Sequence, residues 1–128
     1  MENISISLAE SEQDKVSEVR VDGVIDTTTA SELEEVIDSL LKRERYSMVL
    51  DLAGVDYISS AGWGIFISHI RDIRANGGDI KLANMVSNVY EIYELLEFDK
   101  VLRVYRSVDE ARDDFLNSGG TTAKKKDR

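Results

Sequence analysis

The sequence predicts a single α/β domain in which four or five helices pack on a mixed β-sheet of four or five strands. Three observations lead to this prediction. Apolar residues switch repeatedly between the alternating pattern of strands and the three-to-four-residue spacing of helices. One helical segment lies between two short apolar strands, the order of a βαβ unit with parallel strands. The chain has 128 residues, 42% of them hydrophobic, which suffices for one buried core.

The first part of the chain predicts two strands and a helix. Residues 4–8 alternate between apolar and polar side chains, as do residues 19–23, and the short gap between them predicts a β-hairpin. Apolar residues then recur at helical spacing over residues 33–41. One of the three threonines at 27–29 can cap this helix, because a threonine hydroxyl accepts a hydrogen bond from a free backbone amide.

The middle of the chain predicts the βαβ unit. SMVLDL, residues 47–52, is a short apolar run typical of a buried strand. A turn leads to Ser59, after which apolar residues recur at helical spacing over residues 63–73. Asn76-Gly77-Gly78 ends this helix, and DIKLAN, residues 79–84, is the next strand. Because a helix connects them, the two strands should be parallel.

The last part of the chain predicts two more helices and a short strand. An apolar stripe of Val89, Ile92, Tyr93 and Leu96 marks the first helix, with Ser87 as its cap. VLRVY, which starts at residue 101, is predicted to be a strand. The sequence SVDE at 107–110 is a capping box that opens the terminal helix. The domain is predicted to span residues 1–117. Residues 118–128 are predicted to be a flexible tail, part of which can be a cloning addition.

Composition limits the classes of function. The chain has no cysteine, which excludes disulfides and thiolate metal sites, and no cofactor is predicted. Its net charge is -9, although four of its 16 basic residues lie in the final KKKDR. Such a surface should repel nucleic acid and anionic lipid, so neither DNA nor a membrane is an expected direct partner. The sequence has no membrane-length apolar run and no signal-peptide pattern, so we expect a cytoplasmic protein.

The segment DYISSAGWGIF, residues 56–66, places two serines and two glycines before an apolar helix. A serine in this position is usually a helix cap. Gly62 and Gly64 need another explanation, because glycine in a helix costs about 1 kcal/mol relative to alanine. Bare backbone at a helix start allows a phosphate, a nucleotide or the surface of a partner protein to approach closely.

An enzymatic role for these serines has little support, so the chain is predicted not to be an enzyme. The G-x-S-x-G pattern of a nucleophile elbow is absent. His69 is the only histidine, and it should lie roughly 13 Å from Ser60 along the helix, too far to act as a base. We expect it to be a surface residue. Asp51 and Asp56 could accept phosphate as in receiver domains. Receivers, however, hold Mg²⁺ with an acidic pair after the first strand, and here the acidic residues Glu10 and Glu12 lead into a hairpin.

Four motifs together resemble the bacterial anti-sigma factor antagonists, which are small STAS domains. The phosphorylation loop of that family runs apolar, Asp, Ser, then Ser, Thr or Ala, then Gly, apolar, Gly. Residues 58–64 of this chain read ISSAGWG, with Ser59 where the family usually has aspartate before its phosphoserine, and Leu50-Asp51-Leu52 precedes them. The other motifs are GVID at 23–26 before a helix, NGGDIKLAN at 76–84 and LEFDKV at 96–101.

The resemblance implies a partner-switching mechanism. The unphosphorylated antagonist binds an anti-sigma factor that is also a serine kinase of the GHKL type, which frees a sigma factor. The kinase then phosphorylates the loop serine, here Ser60 or as second choice Ser59, and a PP2C-like serine phosphatase resets the switch. The residues expected to bind the partner are Asp26, Thr27, Asp56, Ser59, Ala61, Gly62, Trp63 and Gly64. Trp63 is either an exposed anchor or part of the core.

Two binding functions remain as alternatives. The chain could be a STAS domain that binds without being switched, such as a scaffold or a transporter-associated subunit. It could also bind a nucleotide at the glycine-flanked helix start. Variants at Ser60 distinguish the first from the switch, and a thermal-shift panel of nucleotides tests the second.

Overall fold

The computed structural model describes residues 4–118, and within this range the elements follow the predicted order. The five strands are β1 (Ile4–Glu10), β2 (Val16–Ile25), β3 (Ser47–Ile58), β4 (Asp79–Ala83) and β5 (Arg103–Tyr105). The four α-helices are α1 (Ala30–Lys42), α2 (Ser60–Ala75), α3 (Ser87–Leu95) and α4 (Val108–Ser118), and a 3-10 turn spans Phe98–Lys100. Helix α4 therefore runs one residue past the predicted end of the domain, and the rest of the predicted tail lies outside the described residues.

The five strands form one mixed sheet in the order β1-β2-β3-β4-β5. The predicted hairpin is confirmed, because β1 is antiparallel to β2, with Ile4 opposite Gly23 and Glu10 opposite Ser17. The other neighbouring strands are parallel, including the predicted pair β3 and β4. The carboxyl ends of β2 and β3 therefore meet at the same edge of the sheet.

Helices cover the two faces of the sheet unequally. Adjacent residues of a strand point to opposite faces, and in β3 Leu50 and Val49 belong to separate apolar clusters. The larger cluster joins the Leu50 side of the sheet to α1, α2 and α3, for example through Leu33 and Phe66. The smaller cluster joins the Val49 side to α4 through Ala111. The start of α2 therefore lies on the more fully covered face.

Strands β2 and β3 are longer than the sequence predicts. Strand β3 continues from the predicted end at residue 52 to Ile58, where it pairs with Ile25 at the end of β2. The predicted turn before Ser59 is therefore wrong, and the strand leads directly into the helix. The pairing shifts register on both sides of Asp22 and Gly23. A Cβ on Gly54 would lie 1.8 Å from Asp22 Oδ1, so a larger residue in this irregular stretch would require the exposed Asp22 side chain to move.

The helix caps agree with the sequence in part. Half of the capping box of α4 forms as predicted, because the amide of Glu110 donates to Ser107 Oγ at 3.1 Å, but the Glu110 carboxylate accepts from the Arg106 amide at 3.3 Å instead of from the Ser107 amide. Ser87 does not cap α3 as predicted. It is the first residue of the helix, and the cap position belongs to Val86, whose side chain offers no acceptor.

Candidate functional site

The two serines at the junction of β3 and α2 have different roles. Ser59 caps the helix, and its Oγ accepts a hydrogen bond from the Gly62 amide at 3.4 Å. The amide of Ser59 also donates to the carbonyl of Ile25 at 2.8 Å, which ties the helix start to the end of β2. Ser60 is the first helical residue and is exposed. Its hydroxyl makes no hydrogen bond to any residue between 4 and 118, so it is available to a modifying enzyme.

The two glycines of α2 have different surroundings. Gly62 is buried, and a Cβ there would lie 2.6 Å from Ile25 Cγ2 and 2.7 Å from Ile58 Cγ2. The side chains of Ile25 and Ile58 therefore fill the space beside the Gly62 backbone, and a ligand cannot enter it. Gly64 is exposed, and a Cβ there would meet nothing within 4 Å. Because residues four apart share a helix face, Gly64 leaves open surface one turn beyond Ser60.

Trp63 belongs to the core, which decides between its two predicted roles. Its side chain is 2% exposed, and its ring lies 4.9 Å from that of Phe98 and 6.3 Å from that of Tyr93, measured between centroids. The indole therefore packs the first turn of α2 against α3 and the 3-10 turn that follows it. It is not an exposed anchor for a partner, and it can influence binding only from below the surface. Ala61, beside it, is half-buried.

Asp26 organises the start of α1, next to the serines. Its Oδ1 accepts hydrogen bonds from the Thr28 hydroxyl at 2.7 Å, the Thr28 amide at 2.9 Å and the Thr29 amide at 3.1 Å. These bonds, foremost that from the Thr28 hydroxyl, hold the pKa of the Asp26 carboxyl below its usual value. Asp26 thus fixes the turn that leads into α1 by binding the Thr28 and Thr29 amides, and the predicted threonine cap does not form, because Thr29 at the cap position makes no side-chain capping bond.

Asp26 and Ser60 lie at the same edge of the sheet. Asp26 directly follows Ile25, whose carbonyl binds the Ser59 amide, so the starts of α1 and α2 are adjacent. Thr27 is exposed beside Asp26. This edge therefore combines a fixed negative charge, an exposed hydroxyl and the bare Gly64 surface.

The end of β3 adds two exposed side chains to this region. Asp56 is exposed as expected for a binding residue, and Tyr57 is 54% exposed. Sequence reasoning missed Tyr57, because it lies in the segment between residue 52 and Ser59 that was predicted to be a turn. Its position three residues before Ser60, in a strand longer than predicted, places it among the candidate binding residues.

His69 lies between α1 and α2, where it is mostly covered. Its Nε2 is 3.2 Å from Glu34 Oε2 and 3.8 Å from Asp38 Oδ1, and its side chain is 17% exposed. The prediction of a surface histidine holds only in part, since His69 joins two helices.

Residues 4–118 also bear on other kinds of site. Between residues 4 and 118, no group of three or more histidine, aspartate or glutamate side chains is placed to hold a metal ion. In the same range no helix has both the length and the apolar character to cross a membrane. A groove of about 1530 Å³ runs along β5 and is lined by residues such as Arg103 and Arg106, but none of the predicted site residues lines it.

Comparison with known proteins gives one family. Residues 8–111 match the STAS domain. The anti-sigma-B factor antagonist of Listeria monocytogenes is 24% identical over 102 residues, which cover 80% of this chain and 89% of that protein. The anti-sigma-B factor antagonist of Staphylococcus aureus is 24% identical over 101 residues, which cover 79% and 94%.

Solved structures share the fold. An anti-sigma factor antagonist from Mycobacterium paratuberculosis superposes with a TM-score of 0.80 at 24% identity, over 89% of this chain and 95% of that one. The Bacillus cell fate determinant SpoIIAA in its phosphorylated form superposes with a TM-score of 0.65 at 15% identity, over 86% and 98%. Since the family match covers most of the chain and the sheet order agrees with the predicted fold, this chain belongs to the STAS domain family.

Proposed function

We propose that this chain is an anti-sigma factor antagonist whose binding to an anti-sigma factor serine kinase is switched by phosphorylation of Ser60. The observation that carries the proposal is the division of roles at the start of α2. Ser59 is used as the cap, whereas the Ser60 hydroxyl is exposed and unbonded within the described chain. The names of the relatives, and the existence of a similar protein in a phosphorylated form, support the same function.

The geometry favours Ser60 over Ser59 as the phosphorylation site. Ser59 is half-buried and its hydroxyl already accepts the Gly62 amide as the helix cap, so a kinase would reach it less easily than the exposed hydroxyl of Ser60. Phosphate on Ser60 would stand in the first turn of α2, where the positive end of the helix dipole and free amides stabilise an anion. The modified protein would therefore keep its fold, and the effect of the phosphate would fall on binding.

A phosphate on Ser60 would oppose docking for two reasons. It brings about -1.5 to -2 charge to the edge that already holds Asp26 and Asp56. It would also stand on the same helix face one turn before Gly64, at the margin of the bare surface that would admit a close-fitting partner. Burying an unpaired charge costs several kcal/mol, and every 1.4 kcal/mol weakens binding about tenfold. One phosphate would thus suffice to separate the complex.

The proposal fixes the kinds of partner. A GHKL-type kinase would bind the unphosphorylated protein and release a sigma factor, and a PP2C-like phosphatase would remove the phosphate. These reactions would take place in the cytoplasm, with no direct contact to DNA or membrane. The proposed contact surface comprises Asp26, Thr27, Asp56, Tyr57, Ser60 and Gly64. The other four predicted residues, Ser59, Ala61, Gly62 and Trp63, would support it from within the chain.

The test combines phosphopeptide mapping of protein from its native cells with variants at Ser60. We expect phosphate on Ser60 in a fraction of the molecules, and Ser60→Asp should fold normally but bind the kinase at least about tenfold more weakly. Ser60→Ala should bind normally and no longer be released by ATP. Kinase binding by Ser60→Asp that equals the wild-type affinity would refute the switch, and phosphate on Ser59 would refute the assignment of the site.

One observation favours a second function. Ser59 stands where the antagonist family usually has an aspartate before its phosphoserine, so the site lacks a charge that the kinase would otherwise meet. A STAS domain that binds its partner without being switched would tolerate this change. In that case Ser60→Ala and Ser60→Asp would both keep the partner, and no growth condition would yield phosphate.

A further inference from the structure

Helix α3 presents an apolar strip to solvent. The strip consists of Ile92, Leu95 and Leu96, whose side chains are 41%, 74% and 51% exposed. The sequence pattern placed Ile92 and Leu96 in one stripe with Val89 and Tyr93, but only the latter two are buried. Spacings of three and four residues put the members of the α3 strip side by side.

The exposed apolar side chains of this protein are concentrated at the strip and are not scattered over the surface. Seven large hydrophobic side chains are exposed in the described chain, and four of them lie within residues 90–96. Single exposed apolar residues are normal on a protein surface, whereas a contiguous patch marks an interaction site. Because Leu95 and Leu96 contribute so little to the core, stability does not explain their presence.

Acidic side chains border the strip. Glu91, Glu94, Glu97 and Asp99 are exposed around it. The nearest basic residue in sequence, Lys100, pairs with Glu97 at 3.7 Å. Glu91, Glu94 and Asp99 form no ion pair with any residue of the described range. The rim at Glu91 and Glu94 thus carries negative charge without an ion-pair partner in residues 4–118, whereas Asp99 shares the groove along β5 with Arg103 and Arg106.

The charge of the rim selects the occupant. A second copy of the chain would bring one acidic rim against another in a protein of net charge -9, and an anionic membrane has the same sign. An amphipathic helix lays its apolar face into a complementary patch, and basic side chains on its flanks would meet the rim. We propose that the α3 strip docks an amphipathic helix of a partner protein whose polar face is rich in lysine and arginine.

This second surface is separate from the proposed phosphorylation site. None of its residues belongs to the edge formed by Asp26, Tyr57 and Ser60. The two surfaces are nonetheless joined through the core, because the buried Tyr93 of α3 packs on Trp63, three residues after Ser60. Binding at the α3 strip does not require that Ser60 be phosphorylated, so the two proposals can fail independently.

The experiment uses the full chain and a defined probe. A model helix of leucine and lysine, about 18 residues long and therefore about five turns, is titrated into ¹⁵N-labelled protein. A leucine and glutamate helix of the same apolar pattern is the matched peptide control. We expect the lysine peptide to bind at least about tenfold more tightly than the glutamate peptide, with amide shifts concentrated at residues 90–99.

Matched variants separate the strip from general charge attraction. Leu95→Gln with Leu96→Gln should weaken binding of the lysine peptide at least about tenfold, with an unchanged melting temperature. Leu116→Gln, a change at a residue of α4 that is 47% exposed, should leave binding unchanged. Glu94→Gln should weaken binding more than Glu35→Gln on α1 does. Ser60→Asp should bind the peptide as the wild type does.

Three results would overturn the proposal. These are equal affinity for the lysine and glutamate peptides, amide shifts centred outside α3 and the following 3-10 turn, and equal loss of binding in the Leu95/Leu96 and Leu116 variants. Loss of kinase binding by Ser60→Asp, in contrast, concerns only the phosphorylation switch.

Discussion

Alanine at the two glycines of α2 should change stability in opposite directions. At Gly62, the new methyl group would lie 2.6 Å from Ile25 Cγ2 and 2.7 Å from Ile58 Cγ2, both shorter than a van der Waals contact. Both neighbours are core side chains with at most 5% exposure, so neither can move freely. Such overpacking costs about 1–3 kcal/mol. The helix propensity of alanine returns about 1 kcal/mol, which leaves a net loss of up to about 2 kcal/mol.

At Gly64 only the favourable contribution remains. A Cβ there meets nothing within 4 Å, so Gly64→Ala should stabilise the protein by up to about 1 kcal/mol. For a domain of this size, 1 kcal/mol corresponds to roughly 4 °C in melting temperature. We therefore expect Gly62→Ala to melt up to about 8 °C lower than the wild type, and Gly64→Ala up to about 4 °C higher.

The assay is thermal and urea unfolding of both variants, followed by circular dichroism. A Gly62→Ala protein as stable as Gly64→Ala would refute the argument that α2 begins in contact with β2 and β3. Partner binding adds a second measurement. If the surface above Gly64 admits a close-fitting partner, Gly64→Ala should be more stable than the wild type and should bind the partner more weakly. Wild-type affinity of Gly64→Ala would show that the partner does not approach this surface.

Three further predictions concern single contacts. Ser59→Ala should lower the free energy of unfolding in urea by about 0.5–1 kcal/mol, the low part of the range for caps because its bond is 3.4 Å long, whereas Ser60→Ala should change it by less than about 0.5 kcal/mol. The pKa of Asp26 is lowered on folding, so its charge stabilises the folded protein above the unfolded pKa of about 3.9. This stabilisation is lost as the pH falls through the folded pKa. Asp26→Asn should therefore flatten the dependence of the free energy of unfolding on pH below about pH 4. Lys81→Ala should lower the free energy of unfolding by about 1–3 kcal/mol, because it removes the buried ammonium 2.9 Å from the Asp114 carboxylate, which is partly exposed and keeps its hydrogen bond from the Tyr105 hydroxyl. Lys100→Ala on the surface should cost less than about 0.5 kcal/mol.

The order of elements could be predicted because it depends on local patterns. Alternation, short apolar runs and helical spacing identified the strands and helices, and the sequence SVDE identified Ser107 as the cap of α4. The length of β3 could not be predicted in this way. Gly54 and Asp56 are typical of a turn, and only the continued pairing with β2 makes them part of a strand. The register shifts that permit this pairing are tertiary features with no local signal.

The site was predicted at the level of residues but not of their roles. A serine before an apolar helix indicates a cap, yet two adjacent serines do not reveal which one caps. Gly62 and Gly64 look equivalent in sequence, and only the positions of Ile25 and Ile58 separate them. For α3, helical spacing shows that apolar residues share a face. It does not show whether that face is covered by the same chain, as for Tyr93, or left in solvent, as for Leu95.

The position of the indole has a practical consequence. Trp63 is the only tryptophan of the chain, and it lies in the first turn of the helix that begins with Ser60. Its surroundings are the aromatic rings of Phe66, Tyr93 and Phe98, so its emission should be that of a dry, apolar environment. A charge gained at Ser60 or a helix docked on α3 would each alter the field or packing around this single fluorophore. The protein thus contains its own optical reporter, and both events can be followed in real time without a label.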